Sequence, residues 1–246
     1  MTSNESRADA ERYGATFFDN LKDAAIRSAG VVVPHVMRLV RPESVVDVGC
    51  GGGLWLKAFL GCGVKRGLGV DGDYVQRDTL AIPPACFRAM DLRNPSKLDQ
   101  AFDLAVSLEV AEHLPESSAD ALVRFLTDLA PVVLFSAAAP GQVGVNHINA
   151  QWIDYWIAKF AAFGYDAFDP IRPLVWHDER VAFYYRQNML MYVRSDVLAG
   201  DKAGEELKAM PRANCLTLVD VDIIKHNLSG RESLKRIYCR LLGKPS

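Results

Sequence analysis

The sequence predicts an open α/β fold, a mostly parallel sheet with helices on both faces, and three observations predict it. Short apolar strands alternate with helix-length segments from residue 44 to residue 136. The first of these strands runs straight into a glycine-rich turn, Gly49-Cys50-Gly51-Gly52-Gly53, and then into a helix. The next two strands each end in an acid, Asp71 and Asp91, where open sheets of this kind meet their ligands.

Element by element, residues 1–12 are polar and charged and are expected to be disordered. From Tyr13 to Val40 the pattern is helical, with Phe17, Leu21 and Ala24-Ala25 at three- and four-residue spacing and then Val31 to Val40 around Pro34. Pro42 ends it. Strand one is Ser44–Val48, and the helix Leu54–Leu60 after the turn is closed by Gly61 and Gly63. Strand two is Arg66–Val70, strand three Cys86–Met90 and strand four Phe102–Leu108, followed by a helix carrying Glu109, Glu112 and His113. A helix over Ser118–Leu129 leads into strand five, Val132–Ser136. A Pro- and Gly-containing loop then precedes a helix over Trp152–Phe163 and a strand over Asn188–Val193. We expect one domain over 13–195, with residues 13–42 as a helical lid, and a mostly helical tail over 196–246. The tail's basic residues Arg231, Lys235, Arg236 and Arg240 read as a solvated helix face.

Composition narrows the functions. Half of the 246 residues are hydrophobic and 24% are charged, so an ordinary packed core is expected. A net charge of −2 leaves no electrostatic footprint for general nucleic-acid binding. The five cysteines (50, 62, 86, 215, 239) include no C-x-x-C pair, which argues against a disulfide framework and a zinc knuckle. Neither an apolar signal core nor a run of membrane-spanning length is present, so a cytoplasmic location is the default expectation.

The glycine turn does not fit the dinucleotide fingerprint G-x-G-x-x-G, whose third glycine would fall at Leu54. An NAD-dependent oxidoreductase is therefore disfavoured. What stands instead is Asp47-x-Gly49-x-Gly51-x-Gly53. Asp71 follows about twenty residues past the turn, where a carboxylate can accept hydrogen bonds from both ribose hydroxyls of an adenosine ligand. Asp91 is placed to accept the exocyclic amine of adenine. The other reading of each is an ordinary strand-end or turn aspartate.

The Val-Asp-Val-Gly-Cys-Gly wording around Asp47 resembles motif I of the class I S-adenosylmethionine-dependent methyltransferases. The Asp103-x-x-x-Ser107-x-Glu109-x-x-Glu112-His113 layout resembles the fourth-strand motif of many small-molecule members. Similar wording to 135–142 and 146–152 occurs in bacterial enzymes of sugar and secondary-metabolite pathways. The resemblance covers roughly 43–136 and implies a Rossmann-like, seven-stranded, mostly parallel sheet whose last strand is antiparallel, with residues 165–193 supplying strands six and seven. It also implies S-adenosylmethionine as cofactor. The turn residues Gly49, Cys50, Gly51 and Gly53 would lie under its methionine part, with Asp47 anchoring the amino group. Asp71 and Gly72 would hold the ribose, and Asp91 and Leu92 the adenine, with Ser107 and Leu108 completing the set.

Methyl transfer is an in-line displacement, so the protein must align the acceptor and, for a hydroxyl, remove its proton. His147, in a polar loop beyond strand five, is the candidate base, with His113 as a second catalytic candidate; a loop histidine bonding its own backbone is the alternative. Helical spacing of i, i+3 and i+4 would put Glu109, Glu112 and His113 on one face, where His147 completes a ligand set for a divalent metal. Carboxylate oxygens with imidazole nitrogens suit Mg²⁺, Mn²⁺ or Fe²⁺. The four-residue pattern resembles the metal site of small-RNA 2′-O-methyltransferases, and its Glu-x-x-Glu-His part that of ubiquinone-pathway O-methyltransferases. Aromatic crowding between Trp152 and Tyr192 suggests that this region, with the N-terminal helix, forms a partly apolar lid over the methyl group. The expected partner is a small-molecule acceptor, most simply a hydroxyl on a sugar or secondary-metabolite scaffold. No nucleic acid and no membrane is expected, and nothing in the sequence opposes an oligomer. The alternatives are an RNA 2′-O-methyltransferase and a catalytically silent interaction subunit, the latter disfavoured by the intact glycines and acids.

Overall fold

The computed structural model describes residues 15–142, 144–199 and 202–213. Residues 1–12 and the basic stretch from Arg231 to Arg240 lie outside these. Helix α1 (Ala15–Val40) runs unbroken through Pro34. Next come β1 (Ser44–Val48), α2 (Leu54–Gly61), β2 (Arg66–Asp71), β3 (Phe87–Ala89) and β4 (Leu104–Leu108). Helix α3 (Ala119–Leu129), β5 (Val132–Ser136), α4 (Ile153–Ala161) and β6 (Tyr165–Phe168) follow. The short α5 (Arg172–Val175) and α6 (Phe183–Asn188) precede β7 (Leu190–Arg194), α7 (Ser195–Leu198) and α8 (Lys202–Lys208).

The strands form one seven-stranded sheet in the order β3-β2-β1-β4-β5-β7-β6. Strands β1 to β5 pair in parallel, and β7 runs antiparallel to both β5 and β6. β1, β4 and β5 are buried along their whole length, because helices cover both faces. Alternation divides the core in two. Val45, Leu104 and Leu134 face α1 and α2, through Val32, Val36, Leu56 and Phe59. Val46, Ala105 and Val133 face α3 and α4, through Leu122, Leu126, Trp156 and Phe160. Of the expected helical tail, the described residues include α7 and α8, and Leu198, Leu207 and Met210 enter the first of these layers. Among the described residues no helix is long and apolar enough to cross a membrane.

The chain reverses its direction of travel across the sheet between β1 and β4, so a crevice opens beyond their carboxyl ends. Local chemistry at those ends departs from the sequence expectation in one important respect. Glu109, Glu112 and His113 do not share a helix. Glu109 takes a left-handed φ of 55°, its N–H bonded to Ser136 O at 3.0 Å, and only Ala111–His113 form a single 3₁₀ turn. Strands three and four are also shorter than expected. Cys86 ends a 3₁₀ turn rather than opening β3, and the backbone of Phe102 is drawn off to Leu129 O at 2.8 Å.

Candidate active site

The glycine turn is tied to its neighbours before any ligand arrives. Gly49 N and Cys50 N both donate to Val70 O, at 2.7 and 3.2 Å, which fixes the end of β1 to the end of β2. Gly49 has φ 80°, and a Cβ there would lie 2.3 Å from Val110 Cγ2, so glycine is required by both backbone and packing. Gly51 differs: it has φ 51° and nothing within 4 Å of where its Cβ would be. That face of the turn is bare backbone. A cavity of about 810 Å³ meets the turn at Gly49 and is lined also by Asp71, Gly72, Asp91 and Leu92, whereas Asp47 and Gly51 are not among its lining residues.

Asp71 is buried and organises this wall. Its Oδ2 accepts from Gly51 N at 2.6 Å, and its Oδ1 accepts from Gly72 N at 2.7 Å and from the Tyr74 hydroxyl. Asp47 sits on β1 with Oδ2 lacking any partner among the described residues. Burial, and then the neighbouring charge of Asp71, raise its carboxyl to about 7. Cys50 turns the other way: its Sγ fills the space a Cβ on Gly69 would need, 2.7 Å off, and burial raises its thiol. Ser107 and Leu108 are buried in β4 and do not line the cavity; Gly53 packs against Ile82. Asp91, on the far wall, is exposed and forked by Arg93, with Nε at 2.9 Å from Oδ1 and Nη2 at 2.7 Å from Oδ2. Those bonds hold its carboxyl down at about 2.

Past β4 the structure brings together three of the four residues expected to bind metal. Ligand atoms of Glu112, His113 and His147 lie within 4.8 Å of one another. The loop carrying His147 is held to the 3₁₀ turn by Ile148 N and Asn149 N, both donating to Glu112 O at 2.9 and 3.0 Å. The two imidazoles meet edge to face with ring centroids 5.0 Å apart. His147 Nδ1 donates to Gln142 O at 3.2 Å, which leaves Nε2 as the nitrogen with a free lone pair. Both carboxylate oxygens of Glu112 are buried with no partner among the described residues. Burial, and then Glu109, raise this carboxyl well above its ordinary value, while desolvation lowers both histidines. Glu109 is not one of the three residues grouped there, although its carboxyl interacts with that of Glu112. Its Oε2 accepts from Gln142 Nε2 at 2.7 Å and its Oε1 from Asn188 Nδ2 at 3.1 Å. Glu109 lines the cavity, as does His113, so the cluster and the cavity adjoin.

Half of the aromatic residues expected in a lid are core, and Trp156, Phe160, Phe168 and Tyr192 are fully buried there. The part of the region that does approach the site is α6. Tyr184 is raised to about 12 by burial and by the charge of Glu109, with Arg27 of α1 acting in the opposite sense. Tyr185 accepts a hydrogen bond from Trp55 Nε1 at 3.2 Å. Sequence reasoning singled out none of Tyr74, Arg93, Val110 and Asn188 for the site. Only the spacing Asp71-Gly72-x-Tyr74 offered a local signal.

Comparison with known proteins follows the geometry. A family model described as a methyltransferase domain matches residues 23–175. No curated protein sequence matches. Among solved structures, the methyltransferase domain of bacterial CtHen1-C aligns with a TM-score of 0.51 at 21% identity, over 69% of this chain and 98% of that one. DesVI from Streptomyces venezuelae aligns with a TM-score of 0.54 at 13% identity, over 76% and 98%. At these identities the likeness is one of fold.

Proposed function

The chain belongs to the class I S-adenosylmethionine-dependent methyltransferases, and we propose that it methylates a hydroxyl group of a small molecule beside Glu112, His113 and His147. The observation that carries this reading is Glu112: a carboxylate whose two oxygens are buried and unpartnered, next to two imidazole nitrogens. A buried carboxylate without partners is costly unless a cation or a proton answers it.

The residues present fit the cofactor. The bare face at Gly51 lets backbone approach a ligand closely, Asp71 offers the ribose a carboxylate already oriented by two N–H groups, and the cavity is continuous past Asp91. Bound there, S-adenosylmethionine would supply a methyl group on a sulfonium, already activated for displacement. Asp71 and Gly72 would hold the ribose, and Asp47 would answer the charge of the amino group. Glu112, His113 and His147 would hold a divalent ion, whose Lewis acidity would lower the pKa of an acceptor hydroxyl. Two imidazoles in the set suit Mn²⁺ or Fe²⁺ better than Mg²⁺. A second reading dispenses with the ion. The bond from His147 Nδ1 to Gln142 O leaves Nε2 ready to take the hydroxyl proton. The acceptor we favour is a sugar or another cyclic metabolite, since a net charge of −2 gives no overall electrostatic attraction for RNA.

The test is a screen of hydroxyl-bearing metabolites by release of S-adenosylhomocysteine, with direct titration of Mn²⁺ into the protein. We expect turnover on a small alcohol, with Glu112→Gln abolishing Mn²⁺ binding and His147→Ala slowing turnover by about 100-fold or more. Full activity after chelation together with loss in His147→Ala selects the metal-free base. Turnover on short RNA with none on small molecules replaces the acceptor class.

A further inference from the structure

The carboxylate assigned above to the ribose is already engaged by a side chain of this chain. Tyr74 donates its hydroxyl to Asp71 Oδ1, completing three hydrogen bonds to that carboxylate with Gly51 N and Gly72 N. The two backbone donors belong to the turn and to the end of β2 and cannot leave. Tyr74 can. The residue is 78% exposed and lines the cavity.

The seat of the ring is built into the sequence. A Cβ on residue 72 would lie 2.0 Å from Tyr74 Cε1, so the ring fits over this position only because it is glycine. Gly72 is not among the residues with positive φ, so its backbone does not demand glycine; the space does. The hydroxyl of Tyr74 therefore stands on Asp71 where a ribose hydroxyl would stand, one O–H donor in place of another. Exchanging the two costs little, because each satisfies the same buried carboxylate oxygen.

We propose that Tyr74 is a built-in stand-in for the cofactor ribose, occupying Asp71 in the empty site and setting cofactor affinity by having to swing out. The inference rests on Asp71 being the ribose anchor. It follows that apparent affinity is lowered by the fraction of molecules in which Tyr74 is engaged. A tyrosine that merely tied down the loop after β2 would act differently. Removing its hydroxyl would then lower stability and leave affinity unchanged or weaker.

Calorimetric titration with S-adenosylhomocysteine separates these, using the full chain, Tyr74→Phe, Asp71→Ala and the double variant. Tyr74→Phe keeps the ring and removes only the donor, and its exposure protects the fold. The proposal expects Tyr74→Phe to bind S-adenosylhomocysteine about 3- to 10-fold more tightly, as for engagement in roughly 70–90% of molecules. That gain should disappear in the Asp71→Ala background, because the two residues act through one bond. Affinity unchanged or weakened in Tyr74→Phe, with Asp71→Ala still weakening binding, overturns the stand-in and leaves the ribose anchor in place. Asp71→Ala binding as tightly as the parent chain removes the anchor and the proposal together.

Discussion

Asp47 is a carboxylate whose charge the protein does little to stabilise. It is buried, faces Asp71, and leaves Oδ2 unpartnered, so it titrates near about 7 instead of the ordinary 3.8. The sign of the consequence is fixed by linkage. Between these two values the folded state holds a proton that the unfolded state has released, so this group's contribution falls as pH rises from about 4 to about 7. The full loss is on the order of 4 kcal/mol at neutral pH. Asp47→Asn should therefore flatten the pH dependence of stability in the cofactor-free protein, measured by urea unfolding from pH 5 to 8. Parallel curves for the two proteins would show that Asp47 is not the group responsible. With the cofactor's amino group beside it, as we propose, the ionised form is favoured and S-adenosylhomocysteine should bind more tightly as pH approaches 7.

At the scale of elements, Asp103 shows how a motif residue can serve the fold instead of the chemistry. Its Oδ2 accepts from Glu43 N, Ser44 N and Ser44 Oγ at 2.9, 2.8 and 2.9 Å, stapling the start of β4 to the start of β1. That is the end of the sheet away from the cavity. Asp103→Ala should cost about 1–3 kcal/mol in urea unfolding with cofactor affinity unchanged; weakened affinity at undiminished stability would contradict the staple. The sheet was legible in the sequence because strands buried on both faces appear as unbroken apolar runs, as in Val45-Val46 and Val132 to Phe135. What followed each strand was less legible. Glutamate gives no sign that it will take a left-handed φ, so Glu109 was placed on a helix it does not join. Its partner Asn188 lies 79 residues away, beyond the reach of any local pattern. Glu112, His113 and His147 were legible as a group because they flank the ends of neighbouring strands β4 and β5.

Across the whole molecule, the proposed reading gives the cofactor and acceptor sides to different parts of the chain. The cavity is walled by the ends of β1 to β4 and the loops that follow them, Glu109 included; α6 reaches Glu109 through Asn188, and the charge of Arg27 on α1 acts on Tyr184 of the same helix. One buried hydroxyl joins the two helices. Ser28 Oγ donates to Ala24 O at 2.6 Å and accepts from Ala182 N at 3.0 Å, at the start of α6. At its other end α6 finishes at Asn188, which holds both Glu109 and Gln142. A single short helix therefore connects α1 to the residues that position Glu109 and the loop of His147. Ser28→Ala strands the N–H of Ala182 and should cost about 1–3 kcal/mol in stability. Its more specific effect should be a raised KM for the acceptor with the Kd for S-adenosylhomocysteine unchanged, since no cavity wall depends on Ser28. Measured side by side, equal losses in both would mean that α1 supports the domain as a whole, and a loss confined to the cofactor would place the helix over the wrong half of the site.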